Sequence, residues 1–169
     1  ESSLEVIKQA DVKKKVKVHL KVDTGMGRLG LPWKEAAELA KKIVNTKNVE
    51  LEGVWTHFAA SDSEDKTFTL EQLENFQNFL DTIKREGIEP KLIHTANSAA
   101  TFAFPKSHFD LVRPGIALYG YHSSPVTQKL EPRLTPVMTL TAPITFIKKV
   151  KAGTPISYSG MWTAPKDTT

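Results

Sequence analysis

The residues able to do chemistry gather at four places along the chain, each at the end of a β-branched stretch. They are Asp23-Thr24-Gly25-Met26-Gly27-Arg28-Leu29-Gly30, then His57, then His94 with Asn97 and Ser98, and last Arg113-Pro114-Gly115-Ile116. Three glycines around Arg28 either form a tight turn or bring backbone and guanidinium close to a ligand. Their spacing is not the G-x-G-x-x-G of a dinucleotide site. His57 reads either as a satisfied core histidine or as an acid-base group. Asn97-Ser98 opening a helix serves as an N-cap or as an anion site, because the same geometry does both. A flexible Gly115 straight after a rigid Pro114 is accounted for if the amides of Gly115 and Ile116 face a phosphate. Together these basic and hydrogen-bonding groups suit an anionic ligand, while His19 and His108 read as structural or surface residues. With no cysteine there is no thiolate metal site, disulfide framework or cysteine nucleophile, and no metal centre is expected.

The elements that must position these groups repeat. Val16 to Val22 alternates β-branched residues with Lys and His and reads as a strand; a helix follows, with Pro32 at its first position and Ala36, Leu39, Ala40 and Ile43 at helical spacing. A second strand, Val49 to Phe58, precedes a helix in which Thr69 and Gln72 have capping-box spacing, Leu73, Phe76, Leu80 and Ile83 form the apolar stripe, and Gly87 marks the stop. Pro90 to His94 is a third strand, with a short helix from Asn97 to Phe102, and Phe109 to Arg113 is a fourth. Successive right-handed βα units predict a parallel sheet or barrel, whose ligands sit at the C-terminal ends of the strands. All four groups fall there. Past Tyr121, prolines punctuate β-branched runs such as Thr139 to Val150, so 1–121 is expected as a βα domain and 122–169 as the start of an all-β one.

The chain has 169 residues, 40% hydrophobic and 25% charged, which is ordinary for a globular protein and excludes a disordered or fibrous one. The net charge of +4 is dispersed beyond the cluster Lys13, Lys14, Lys15 and Lys17, so nucleic acid is not an expected partner. There is no apolar run of membrane-spanning length, and a cytoplasmic protein with no membrane contact is expected. Four βα units are half of an eight-unit barrel of about 250 residues. With a start at Glu1 instead of Met, this predicts an internal fragment of a longer chain.

The motifs as a set resemble those of alanine racemase, a pyridoxal 5'-phosphate enzyme with a (β/α)8 barrel of TIM type and a β-rich C-terminal domain. The matching stretches are HLKVDTGMGRLG (His19 to Gly30), WTHFAASD (Trp55 to Asp62), IHTANSAA (Ile93 to Ala100), FDLVRPGIALYG (Phe109 to Gly120) and GTPISYSGMWTA (Gly153 to Ala164). They run in family order, from the second half of the barrel into the C-terminal domain. The resemblance implies an α/β fold and interconversion of L-alanine and D-alanine for D-alanine and peptidoglycan precursor synthesis. It also implies a homodimer whose active site is shared between subunits.

Position by position, the resemblance implies that Arg113 faces the pyridine nitrogen of the cofactor, and that Ser98 and the amides of Gly115 and Ile116 hold its phosphate. Arg28 falls beside the phenolic oxygen, with Lys21 as the lysine that is carbamylated in many members; His94 and Asn97 are expected at the cofactor rim from their place at the end of the third strand. Tyr158 matches the tyrosine acting on one face of the substrate carbon, contributed to the other subunit's site, and His57 is its candidate tuner. In two respects the sequence departs from the family. The segment bearing the cofactor lysine is absent, so the 169-residue chain alone is expected to be inactive, and Ser159 stands where the family usually has glycine. Alternatives within reach of the same rim are a broader-specificity amino-acid racemase and a noncatalytic pyridoxal-phosphate barrel; the tyrosine-bearing Gly153 to Ala164 stretch separates the latter.

Overall fold

The computed structural model describes residues 2–10, 14–130 and 132–169; Glu1 and Lys13, both invoked above, lie outside them. The chain divides into two compact units, one running to Val137 and the other from Met138 to Thr169. The first unit opens with helix α1 (Ser2–Gln9) and continues through β1 (Val16–Asp23), β2 (Leu31–Pro32), α2 (Trp33–Val44), β3 (Val49–Trp55), α3 (Thr67–Arg85), β4 (Leu92–His94) and α4 (Ser98–Ala103). Its four strands make one parallel sheet in the order β2-β1-β3-β4.

On β1 the alternation reads directly as two faces. Leu20 and Val22 are buried with Leu51 and Val54 of β3 against α2 and α3, whose Ala36, Leu39, Ala40, Ile43, Phe76, Phe79 and Ile83 complete the core. Helix α2 buries one stripe because its small and branched residues recur every three or four positions. Pro32 sits one residue earlier than expected: it is the N-cap of α2, extended, and pairs with Asp23. Asn45 closes α2, its side-chain amide donating to Lys41 O at 2.9 Å.

Three expected local features differ. Helix α3 begins at Thr67, where the Asp65 carboxylate accepts from the Thr67 N–H at 2.9 Å, so Thr69 and Gln72 lie inside the helix, fully buried, and form no capping box. The spacing suits a cap at Thr69, but the N-cap of α3 is Lys66, three residues earlier. Phe109 to Arg113 forms no strand ladder; instead Asp110 N–H donates to Ile93 O at 3.0 Å and Arg113 N–H to Ala96 O at 2.9 Å, two isolated bonds that still align the segment beside β4. The second strand stops at Trp55, short of Phe58, because Thr56 and His57 leave the ladder.

In the second unit β5 (Pro155–Ile156) and β6 (Trp162–Thr163) form a two-stranded antiparallel hairpin, and Val150 bridges Thr168. The run from Thr139 to Val150, expected to be β, makes no ladder among the described residues beyond the single bridge at Val150. Its Leu140, Ile144 and Phe146 are exposed, and up to Lys149 its backbone groups have no neighbouring strand to bond to among the described residues. Residues 122–137 pack with the first unit: Ser124 Oγ donates to Asp62 O at 2.9 Å and Val137 N–H to Tyr119 O at 3.2 Å.

Candidate active site

The outer face of β1 is apolar, whereas its other face carries Lys17, His19, Lys21 and Asp23. Parallel strands covered on both sides are normally apolar throughout, so a polar face facing away from the helices marks chemistry. Of the residues singled out from the sequence, those of the first unit gather at its C-terminal end around Arg113, while Tyr158 lies in the second unit.

Arg113 is the centre. Its guanidinium donates to Thr56 O at 2.7 Å, to Thr95 O at 3.2 Å and to His94 Nδ1 at 2.6 Å, and lies 4.6 Å from the Trp55 ring centroid. Trp55 also stacks on His94, with ring planes 11° apart, and carries the Lys21 ammonium at 5.5 Å. Burial pulls Arg113 down to about 10, so it stays a cation at neutral pH. Burial, then the adjacent Arg113 charge, pulls His94 down to about 4, so His94 is neutral and accepts from the guanidinium. The other nitrogen of His94 lies 2.8 Å from His19 Nδ1.

His57 stands at the exit of β3. Its backbone carbonyl accepts from the Gln72 amide at 3.1 Å, while Gln72 Oε1 accepts from Ala59 N–H at 2.8 Å, so one buried glutamine from α3 clamps both sides of His57. Burial lowers the His57 pKa, helped by Arg113, Arg28 and Lys21. Burial likewise lowers Lys21, against the pull of Asp23 and with the push of Arg28 and Arg113; its ammonium donates to Leu29 O. Arg28 is exposed on the turn that Asp23 organises, whose carboxylate accepts from Gly25 N–H at 3.0 Å and Gly27 N–H at 3.0 Å. Partial burial pushes Asp23 up, but those amides and Lys21 outweigh it and leave it below the usual carboxylate range.

Asn97 caps α4 through Ala100 N–H at 3.0 Å, and the same oxygen accepts from Ser61 Oγ at 2.8 Å. Of the two roles its position allowed, the cap is the one its carbonyl oxygen fills. Ser98 Oγ accepts from Ala117 N–H at 3.3 Å beside Gly115. An open cleft of about 340 Å³ is bounded by His57, Ser98, Arg113, Gly115 and Ile116. A Cβ at residue 115 would meet nothing nearer than Ser98 Oγ at 3.9 Å and would stand in that cleft. No protein packing therefore demands glycine there, whereas a ligand approaching the backbone would. The residues present fit pyridoxal phosphate: a donor-only cation for the ring, bare amides and a hydroxyl for the phosphate, and a surround of positive charge.

Tyr158 lies in the second unit, 92% exposed, with Ser157 and Ser159 on either side at φ 63° and 58°. The left-handed backbone at 159 explains why glycine is the easier residue there. Sequence reasoning missed His19, which stands in the row leading to Arg113, and Trp55 and Gln72, which hold the site. The signal for His19 was its place between Lys17 and Lys21 on the polar face of β1.

A sequence profile for "Alanine racemase, N-terminal domain" matches residues 1–123. The alanine racemase of Treponema denticola is 48% identical over 158 residues, which cover 92% of this chain and 41% of that protein. Among solved structures, alanine racemase from Streptomyces coelicolor A3(2) superposes with a TM-score of 0.86 at 34% identity, covering 99% of this chain and 46% of that one. The Clostridium difficile 630 alanine racemase gives 0.83 at 32%, over 98% and 44%. The chain thus spans about two fifths of the length of its curated relatives, and its parallel sheet is part of the N-terminal barrel of the fold. The chain belongs to the alanine racemase family.

Proposed function

We propose that the full-length protein containing this chain interconverts L-alanine and D-alanine with pyridoxal 5'-phosphate, in the cytoplasm, as a homodimer with shared active sites. The observation that carries this reading is Arg113: a half-buried cation aimed by two carbonyls and an imidazole, not by a carboxylate, at the edge of a cleft with a vacant glycine surface. In functional terms 1–121 is the cofactor-binding barrel portion and 122–169 opens the β-rich domain; a family profile that stops at residue 123 supports this division, while residues 122–137 pack with the first unit.

When bound, pyridoxal phosphate makes the α-hydrogen of an amino acid acidic by drawing electrons into its ring. Arg113 would meet the ring nitrogen and, holding its proton far more firmly than a carboxylic acid, would leave that nitrogen unprotonated, which would moderate electron withdrawal and limit side reactions. Ser98 with the amides of Gly115 and Ile116 holds the phosphate, while His94 and Asn97 keep the rim in place. Arg28 would meet the phenolic oxygen. The lowered pKa of Lys21 enlarges its neutral fraction, the form that takes up CO2; the resulting carbamate is an anion and attracts Arg28 where an ammonium repels it. Tyr158, from the other subunit, removes or returns the α-proton on one face, and the neutral His57 tunes it. The group on the opposite face would be the lysine that binds the cofactor.

Tyr158→Phe in the full-length enzyme tests this. Exchange of the α-hydrogen should fall by about 10²- to 10⁴-fold from L-alanine and far less from D-alanine. Mixed dimers with a variant lacking the cofactor lysine should regain one working site. Equal loss from both enantiomers, or no regain in verified mixed dimers, overturns the role of Tyr158.

A further inference from the structure

Beyond the site, the polar face of the sheet holds Lys17, Glu52 and His19, a row that leads to His94 and Arg113 and that the proposed reaction itself does not use. Between Val18 and His19 the register of β1 and β3 shifts: Val18 pairs with Leu51 and His19 with Gly53, which leaves Glu52 as an extra residue. Bulges are rare between parallel strands, and they re-aim side chains. Under strict alternation Glu52 and Trp55 would lie on opposite faces of the sheet. The bulge changes the phase, so Glu52 sits beside His19 while Trp55 still lies under Arg113 and His94.

The seat of His19 is built to fit. A Cβ at residue 53 would come within 2.6 Å of His19 Cε1 and Nδ1, so the ring occupies space that only glycine leaves. One Glu52 oxygen accepts from the Lys17 ammonium, and the other lies 3.6 Å from His19 Nε2. Lys17 holds the Glu52 carboxyl below the usual range, so it is an anion at neutral pH.

Donor and acceptor roles then follow along the row. Arg113 only donates, so His94 Nδ1 accepts and, in a neutral ring, His94 Nε2 bears the hydrogen. That hydrogen points at His19 Nδ1, which accepts, so the hydrogen of His19 sits on Nε2 and faces the Glu52 carboxylate. In the opposite arrangement a lone pair of His19 would face the carboxylate, and His94 would turn an N–H towards the N–H of Arg113.

We propose that Glu52, anchored by Lys17, is a positioning residue that fixes the tautomers of His19 and His94 and so keeps an acceptor against the Arg113 guanidinium. This rests on the reading that Arg113 faces the cofactor ring. Without Glu52 the row is ordered from the Arg113 end alone, so the other tautomer of both rings enters in part of the molecules, and in those Arg113 loses its third partner.

The test uses the full-length protein labelled with 15N-histidine, with and without cofactor, reading the side-chain nitrogens by long-range 1H–15N correlation. In the parent, His19 and His94 should both show a protonated Nε2 and a bare Nδ1. In Glu52→Gln, whose amide presents either a donor or an acceptor, the Nδ1-protonated form should appear on both rings; Glu52→Ala should show it too. In the loaded enzyme kcat should fall about tenfold, the scale seen for supporting partners, with KM within about twofold. Unchanged tautomers in both variants overturn the proposal. Shifted tautomers with the parent's kcat and cofactor spectrum support Glu52 as the tautomer anchor and overturn the placement of Arg113 at the ring.

Discussion

The two faces of β1 use the same eight residues for opposite purposes. Towards the helices, Leu20 and Val22 are taken out of water among α2 and α3, and each such side chain contributes about 1.5–3 kcal/mol with no demand on direction. Away from them, Lys17, His19 and Lys21 lie on a face where direction is everything. Net stabilisation from such polar contacts is small, but an unpaired group there is costly. The apolar face therefore tolerates changes of shape better than changes of polarity, while the polar face fixes protons and charges and adds little to stability. Stability and chemistry are separated by one residue of register.

The largest expected effect breaks this comparison on its apolar side. Phe76→Ala, deleting a fully buried ring of the core, should cost about 3–5 kcal/mol in the denaturation of the full-length protein at fixed cofactor concentration. Activity per folded molecule should be retained. Loss of activity without loss of stability would show that the faces are not independent.

Next in size is a pH effect from the polar face. His94 is held near 4 in the folded state, below the ordinary histidine value near 6.5, so between these values the unfolded chain binds more protons than the folded one. Its contribution is fully present above about pH 6.5 and is lost as pH falls towards 4, by about 2–3 kcal/mol. Denaturation midpoints of the parent and His94→Asn at pH 7.5 and 5 should show the parent losing stability more steeply by that amount. Parallel pH profiles would contradict the burial and charge assigned to His94.

The smallest effect is a paired substitution on one strand. Val22→Thr places a hydroxyl in the fully buried apolar face and should cost about 1–3 kcal/mol, whereas Lys17→Thr, removing an exposed ion pair, should leave the denaturation midpoint almost where it was. Similar losses would erase the distinction.

The division between faces was legible in the sequence wherever it rests on alternation. Val16 to Val22, the stripe of α2 and the rim groups after each strand all follow from local period and turn chemistry. Interactions across the sheet were not legible. His19 reads as a surface residue because its partner His94 is 75 positions away, and the Glu52 bulge leaves no mark in a run that alternates in either register. The pair Thr69 and Gln72 misleads because a helix start depends on which of several polar residues reaches a free N–H first, and Asp65 does. Thr139 to Lys149 has the composition of a strand, yet a strand exists only through neighbours that supply its ladder.

The central claim, that the polar face aims Arg113 at the cofactor's pyridine nitrogen, is tested most directly by that atom itself. The measurement is the 15N chemical shift of ring-labelled pyridoxal phosphate bound to the full-length parent and to Arg113→Glu. The account predicts an unprotonated nitrogen in the parent and a protonated one in the variant, whose carboxylate would hold a proton there. A protonated nitrogen in the parent, or the same shift in both proteins, would contradict it.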